Sequence, residues 1–225
     1  MSRSIRYTLR ALALLLSYPG GEVRAAVPEL LAAIRDEAAL PAPRRAELQA
    51  FGADLLRADP LEAEARYVEL FDRGRSTSLH LFEHVHGDSR ERGPAMIDLL
   101  KTYEAAGLRL EGRELPDHLC VVLEFASTQP TRLAKAFLGE MAHILRAIFS
   151  ALRQRDSNYA SLLAAVLELA GEKVEAVPVA PEESLDATWA EPVAFGGCST
   201  QGQAAPGRPQ PIQIVRRKAP QGASA

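Results

Sequence analysis

The side chains that could do chemistry are concentrated between residues 72 and 93. Three of the five histidines of the chain, His80, His84 and His86, lie in this stretch, and Glu83 lies among them. Imidazole nitrogens and carboxylate oxygens are ligands that zinc takes in proteins. A metal site is therefore the first hypothesis to test.

Helical spacing argues against a complete metal site. At about 100° per residue, His84 would lie about 40° round a helix from His80, whereas His86 would lie about 240° round from it. Glu83 directly precedes His84, so the HExxH pattern of zinc hydrolases is absent. A small helical metal-binding enzyme that uses His80 and His84 stays open as an alternative. A binding surface for a partner is the favoured interpretation.

Other sequence patterns of catalysis are also absent. The chain has no phosphate-binding loop, no dinucleotide fingerprint and no nucleophile elbow. Cys120 lies in an apolar helical stretch, where burial disfavours the reactive thiolate. We therefore do not predict an enzyme, although scattered carboxylates can build a site inside a helical bundle.

A second polar element, residues 114–118, opens the predicted helix that carries Leu119 and Val122. Proline and aspartate suit the first turn of a helix, where the free amides and the helix dipole favour them. The functional interpretation is that Glu114, Asp117 and His118 form an acidic mouth to an apolar groove. Such a mouth would suit a peptide with basic residues followed by an apolar helix.

Helices must position both polar elements, because apolar residues recur at helical spacing from residue 3 to about residue 171. Asp59-Pro60 predicts a helix start and Gly107 a helix end, and Pro28 and Pro43 fit first-turn positions. The spacing predicts helices at about 5–17, 28–38, 43–57, 59–71, 78–86, 93–107, 115–126, 133–152 and 157–171. The helix at 115–126 is expected to be the most buried. No two-residue alternation supports a sheet, so we predict a single all-α bundle of seven to nine helices.

Composition is typical of a globular chain. The 225 residues include 29 acidic and 26 basic side chains, a net charge of −3, and 47% are hydrophobic. The lack of a basic excess argues against nucleic acid as the main partner.

No apolar run approaches the ~18 residues of a membrane span, and the apolar run at 11–16 is too short for a secretion signal. Two cysteines cannot form a disulfide scaffold. We predict a cytoplasmic protein without stable membrane association.

The composition changes after Gly171. Residues 178–225 contain seven of the 15 prolines and five of the 15 glycines, which predicts a largely disordered tail. We therefore divide the chain into a helical domain, 1–171, and a flexible tail, 172–225. A segment near 185–195, with the apolar residues Trp189, Val193 and Phe195, could dock on a partner or on the domain.

Taken together and in this order, the two polar elements resemble a known family. The resemblance rests on the strings YVELFD at 67–72, SLHLFEHVHGDSR at 78–90 and ELPDHL at 114–119, together with Arg92-Gly93 and Ala95-Met96. These strings are similar to those of the respiratory nitrate reductase molybdenum cofactor assembly chaperones, called delta subunits. That family is related to the chaperones of molybdoenzymes exported by the twin-arginine pathway.

The resemblance implies a chaperone and not an enzyme. It implies that the chain binds the N-terminal segment of the nitrate reductase catalytic (alpha) subunit. It also implies that the apoenzyme is kept competent for insertion of bis-molybdopterin guanine dinucleotide and iron–sulfur clusters before membrane anchoring. The chain itself would hold no cofactor stably.

The residues expected to bind the client peptide lie in or near these strings. They are Phe71, Asp72, Leu79, Phe82, Glu83, His84, His86, Arg90, Tyr103, Glu114, Pro116, Asp117 and His118. A generic helical protein-interaction module and a helical transcription regulator stay open as further alternatives. The sequence leaves homodimer formation open as well.

Overall fold

The computed structural model of the chain describes residues 4–87, 89–112 and 114–178. These residues form ten α-helices and no β-strand, so the predicted all-α class is confirmed. The helices are α1 (Arg6–Leu15), α2 (Gly21–Glu37), α3 (Ala42–Arg57), α4 (Pro60–Tyr67), α5 (Glu83–His86), α6 (Arg92–Ala105), α7 (Leu119–Thr128), α8 (Thr131–Glu140), α9 (Ala142–Gln154) and α10 (Ala160–Ala170). A π-helical turn, Val68–Asp72, and a 3₁₀ turn, Arg75–Thr77, lie between α4 and α5.

The core is centred on α10 rather than on α7. Eight of the eleven residues of α10 are buried, against six of the ten residues of α7. The difference follows from packing, because α10 contacts α1, α3, α8 and α9, whereas α7 packs mainly against α1 and α8. The prediction that the helix after residue 115 is the most buried one is therefore wrong.

Local signals placed two helix ends correctly. Asp59 caps α4, since its side chain accepts hydrogen bonds from the amides of Leu61 at 2.9 Å and Glu62 at 3.2 Å. The backbone at Gly107 turns to a φ of +78° after α6, and the amide of Leu108 donates to the carbonyl of Tyr103 at 3.0 Å. Glycine adopts this conformation without the penalty that a side chain brings.

Two predicted helix boundaries are wrong. Helix α2 begins at Gly21, so Pro28 lies inside it rather than in its first turn. Pro28 is on the exposed side of the helix, and α2 continues although proline removes one backbone hydrogen bond there. The predicted helix at 133–152 is divided at Met141, where φ is −95° and ψ is 2°. Gly139 weakens the helix just before this break.

The predicted helix at 78–86 is also shorter than expected, because only Glu83–His86 is α-helical. The residues before it form a bend, a turn and one isolated antiparallel bridge, between His80 and His118. Helix α7 correspondingly begins at Leu119, so Pro116 and Asp117 lie before the helix and not in its first turn.

The beginning of the predicted tail lies against α9. The side chain of Arg146 pairs with Glu172, and the amide of Val177 donates to Ser150 Oγ at 2.9 Å. Residues 179–225, with the proposed docking segment at 185–195, lie outside the described residues, so their role stays a prediction. Within the described part of the chain, no helix is both long enough and apolar enough to cross a membrane.

Candidate functional site

The site begins where residues 78–82 run beside residues 117–119. The amide of Leu81 donates to the carbonyl of Asp117 at 3.1 Å, and the amide of Leu119 donates to the carbonyl of Leu79 at 2.8 Å. The Asp117 side chain adds a third link, because its Oδ2 accepts a hydrogen bond from the amide of Phe82 at 3.0 Å. The two polar elements singled out by the sequence, about 35 residues apart, therefore form one structural unit.

Asp117 is the centre of this unit, and its side chain is fully enclosed. His80 Nδ1 lies 3.5 Å from Asp117 Oδ1, and Arg92 Nη2 lies 3.8 Å from Asp117 Oδ2. Burial by itself would raise the pKa of Asp117. The interactions with His80, the Phe82 amide and Arg92 outweigh burial and lower that pKa below its usual value. The carboxylate is thus held in its charged form inside the protein.

Arg92 connects Asp117 with a second carboxylate, that of Glu83. Arg92 Nη1 lies 3.1 Å from Glu83 Oε1, and Ser78 Oγ donates to Glu83 Oε2 at 2.5 Å. We call Glu83, Arg92 and Asp117 the carboxylate–arginine bridge. It joins α5, the start of α6 and the segment before α7.

The histidines make separate contacts and do not converge on one point. The rings of His80 and His118 meet edge to face with centroids 5.0 Å apart, whereas His86 packs against Phe82 at 5.9 Å. His84 Nε2 lies 2.8 Å from the carbonyl of Ser78, a distance that fits donation by this nitrogen. Residues 4–87, 89–112 and 114–178 hold no group of three side chains that could bind a metal ion.

Two of these imidazoles have shifted pKa values in opposite directions. The interaction with the Asp117 carboxylate raises the pKa of His80, although partial burial opposes this effect. Burial lowers the pKa of His118, and the neighbouring His80 lowers it further. At neutral pH the pair is therefore asymmetric, with His80 the one that gains a proton more readily.

The predicted client-binding residues fall into two groups by exposure. One group reaches the surface at least in part: Asp72, Phe82, Glu83, His84, His86, Arg90, Glu114 and His118. The other group is buried: Phe71, Leu79, Tyr103, Pro116 and Asp117. The predicted acidic mouth is therefore corrected, since Asp117 is enclosed and only Glu114 presents its carboxylate at the surface. Peptide binding by these residues stays a prediction.

The buried residues of the second group support the site from the interior of the protein. Phe71 packs with Tyr67 and Tyr159, with ring centroids 4.8 and 5.1 Å away. The hydroxyl of Tyr103, on α6, donates to the carbonyl of Pro116 at 2.7 Å and so fixes the segment before α7. Burial also raises the pKa of Tyr103, which keeps this donor protonated.

Replacing Tyr103 with phenylalanine is expected to lower the free energy of unfolding by about 1 kcal/mol, because the Pro116 carbonyl loses its buried donor. Urea denaturation measures this change. The matched control is Tyr7→Phe, since Tyr7 is 59% exposed and should lose nothing measurable. Equal stability of the two variants would contradict a structural role of the Tyr103 hydroxyl.

Two residues of the site, Ser78 and Arg92, are not among the predicted site residues. His80 is predicted to line a binding surface or to bind a metal ion, and its contact with Asp117 is not predicted. Arg92 precedes Asp117 by 25 residues, and no short-range spacing connects the two. The only signal for Arg92 is its place in the string that carries the family resemblance.

Exposed apolar side chains accompany the polar unit on each element that frames it. Val85 on α5 is 52% exposed, Ile97 on α6 is 54% exposed, and Leu115 before α7 is 43% exposed. Isolated apolar side chains at the surface are ordinary. Here each of the three elements that carry the polar unit also presents one, a combination that suits contact with an amphipathic peptide.

Comparison with known proteins shows which family this chain is similar to. Residues 22–165 match the family model described as nitrate reductase delta subunit. The chain is 44% identical over 187 residues to the nitrate reductase molybdenum cofactor assembly chaperone NarJ of Escherichia coli (strain K12), covering 79% of each chain. It is 38% identical over 153 residues to the nitrate reductase-like protein NarX of Mycobacterium tuberculosis (strain ATCC 25618 / H37Rv), covering 68% of this chain and 22% of NarX.

A solved structure shares the fold. The crystal structure of a candidate redox enzyme maturation protein from Archaeoglobus fulgidus superposes with a TM-score of 0.53 at 20% sequence identity. The superposition covers 75% of this chain and 94% of that one. The stretch matched by the family model, 22–165, includes both polar elements of the site.

Proposed function

The chain belongs to the nitrate reductase delta subunit family, and we propose that it binds the N-terminal segment of a nitrate reductase catalytic subunit as an assembly chaperone. Its NarJ relative is named as a chaperone and not as an enzyme. The chain is accordingly a chaperone of nitrate reductase assembly. While bound, it keeps the apoenzyme competent for insertion of bis-molybdopterin guanine dinucleotide and iron–sulfur clusters. The cofactor belongs to the client, and we propose no resident cofactor in the chaperone.

The observation that carries this proposal is the joining of residues 78–87 and 114–119 into one unit. The unit includes the half-buried rings of Phe82 and His86 and the exposed side chain of Glu114. Apolar contacts and an acidic edge complement a segment that carries basic and apolar side chains. The described residues hold no metal-ligating group of three, so no observation favours the alternative of a helical metalloenzyme.

The expected strength of this contact fits a transient partner. Three apolar side chains of the client, at ~1.5–3 kcal/mol each, contribute roughly 5–9 kcal/mol before costs. Ordering a flexible segment costs about 2–5 kcal/mol, which leaves an affinity between micromolar and millimolar. Tighter holding needs a second contact with the folded part of the client. Loss of either contact then releases the client.

The first test is calorimetric titration of the whole chain with a synthetic peptide of the client's N-terminal segment. We expect saturable binding, and we expect Glu114→Ala to weaken it about two- to fivefold, the range of an exposed charge contact. The matched control is Glu104→Ala on α6, which removes another exposed carboxylate and should leave the affinity unchanged. Absence of binding by the unaltered chain would contradict the proposed function.

A further inference from the structure

Four buried polar atoms around Asp117 have no hydrogen-bond partner among the described residues. They are Nδ1 of His80, Nε of Arg92, Oδ1 of Asp117 and Nδ1 of His118. Buried polar groups in proteins are almost always hydrogen-bonded, and a group of four such atoms in one place is uncommon. Two of them, His80 Nδ1 and Asp117 Oδ1, face each other at 3.5 Å, which is too long for a strong hydrogen bond, so the enclosed carboxylate can accept a closer donor.

Arg92 pairs only incompletely with the carboxylates of Glu83 and Asp117. Its guanidinium is shared between two carboxylates, at 3.1 Å from Glu83 and at 3.8 Å from Asp117, and the longer distance is beyond a hydrogen bond. A guanidinium can bind one carboxylate through two parallel hydrogen bonds, and Arg92 does so with neither partner. A better-placed basic group would therefore gain more from Asp117 than Arg92 does.

The balance of charge also favours an added cation. One guanidinium faces two carboxylates, so the bridge carries one negative charge in excess when His80 is neutral. The bridge is open to solvent on one side, since the side chains of Arg92 and Glu83 are 23% and 37% exposed. A basic side chain of a bound segment can thus approach the bridge from the surface.

We propose that Arg92 occupies, in the free chain, the place that a basic side chain of the client takes when the client binds. An arginine or lysine of the client segment displaces Arg92 and pairs with Glu83 and Asp117. Arg92 then turns toward solvent. This inference rests on the proposed function and adds the chemistry of recognition to it. It makes Arg92 a competitor of the client that keeps binding reversible.

The test compares Arg92→Gln with the unaltered chain by calorimetry, using the client's N-terminal peptide and a second peptide in which every lysine and arginine is glutamine. Removal of the competitor is expected to lower the Kd for the basic peptide about five- to tenfold. The Kd for the neutral peptide should not change. Arg92→Lys keeps the competing charge and should bind the basic peptide nearly as the unaltered chain does.

A charge-matched control and a second variant keep this test decisive. Arg132→Gln removes an exposed arginine on α8 and should not change either affinity. If Arg92→Gln fails to fold, Glu83→Gln tests the same idea, because it should weaken binding of the basic peptide alone. Weaker or equal binding of the basic peptide by a folded Arg92→Gln protein would overturn the inference, as would equal tightening for both peptides. Failure of the unaltered chain to bind either peptide would instead overturn the proposed function.

Discussion

Replacing Asp117 with alanine is expected to lower the free energy of unfolding by about 2–4 kcal/mol. The side chain is fully enclosed, and its loss leaves the amide of Phe82 without an acceptor and Arg92 with only Glu83. The figure stays below that of a fully buried ion pair because Arg92 is 23% exposed and water can compensate part of the loss. Denaturation in urea, followed by circular dichroism, measures the change.

The matched control for this variant is Asp98→Ala on α6. The Asp98 side chain is 74% exposed and pairs only with Lys101 at 2.9 Å, so its removal should change stability by less than about 0.5 kcal/mol. Similar losses for both variants would contradict the central role of Asp117. A large loss for Asp117→Ala also means that this variant cannot separate client binding from folding. Glu114→Ala is the variant that can.

The isosteric variant Asp117→Asn should show how much the charge of Asp117 contributes to stability, because the stability of the variant and that of the unaltered chain should depend differently on pH. The pKa of Asp117 lies below its ordinary value of 3.8, so the stability from its charged form is present above that pH and is lost as the pH falls through the lowered pKa. The pKa of His80 lies above its ordinary value of 6.5, so the part contributed by protonated His80 is present below that pH and is lost as the pH rises. The stability difference between the unaltered chain and Asp117→Asn should therefore be largest between about pH 4 and pH 6.5.

Helix ends were predicted correctly where the contacts that determine them involve residues close together in the sequence. Asp59 caps α4, which begins at the next residue, and Gly107 follows the end of α6. Both effects involve only neighbouring residues. The break at Met141 was not predictable from spacing, since the apolar stripe continues across it. Its position depends on how α8 and α9 pack, and apolar periodicity does not report that.

The candidate site was only partly predictable for a related reason. From the local sequence alone, Pro116 and Asp117 are expected in the first turn of a helix. The structure uses them differently, because Asp117 binds the amide of Phe82, 35 residues earlier. A sequence pattern does not distinguish an aspartate that caps its own helix from one that accepts a hydrogen bond from a distant segment. The family resemblance includes both segments as separate strings, but it does not show that Asp117 is enclosed or that Arg92 connects it with Glu83.

Replacing Gly74 with alanine is expected to lower the free energy of unfolding by about 2–3 kcal/mol and to weaken binding of the client peptide. Gly74 is buried between the π-helical turn and the 3₁₀ turn. A Cβ atom there would lie 2.5 Å from the backbone oxygen of Leu70 and closer still to Thr77 Oγ1, which itself donates to that oxygen. Backbone cannot yield as a flexible side chain can, so the turn that leads into residues 78–87 must shift.

The control for Gly74→Ala is Gly139→Ala, whose added methyl group would meet only Glu172 Oε1, at 3.9 Å. Gly139 lies inside α8, and alanine there should stabilise the helix by about 0.5–1 kcal/mol. Urea denaturation and peptide calorimetry on both variants therefore separate a steric effect at the turn from a general effect of glycine replacement. If Gly74→Ala matched the unaltered chain in both measurements, the turn would not position the site, and the links from Asp117 to Leu81 and Phe82 would have to do so alone.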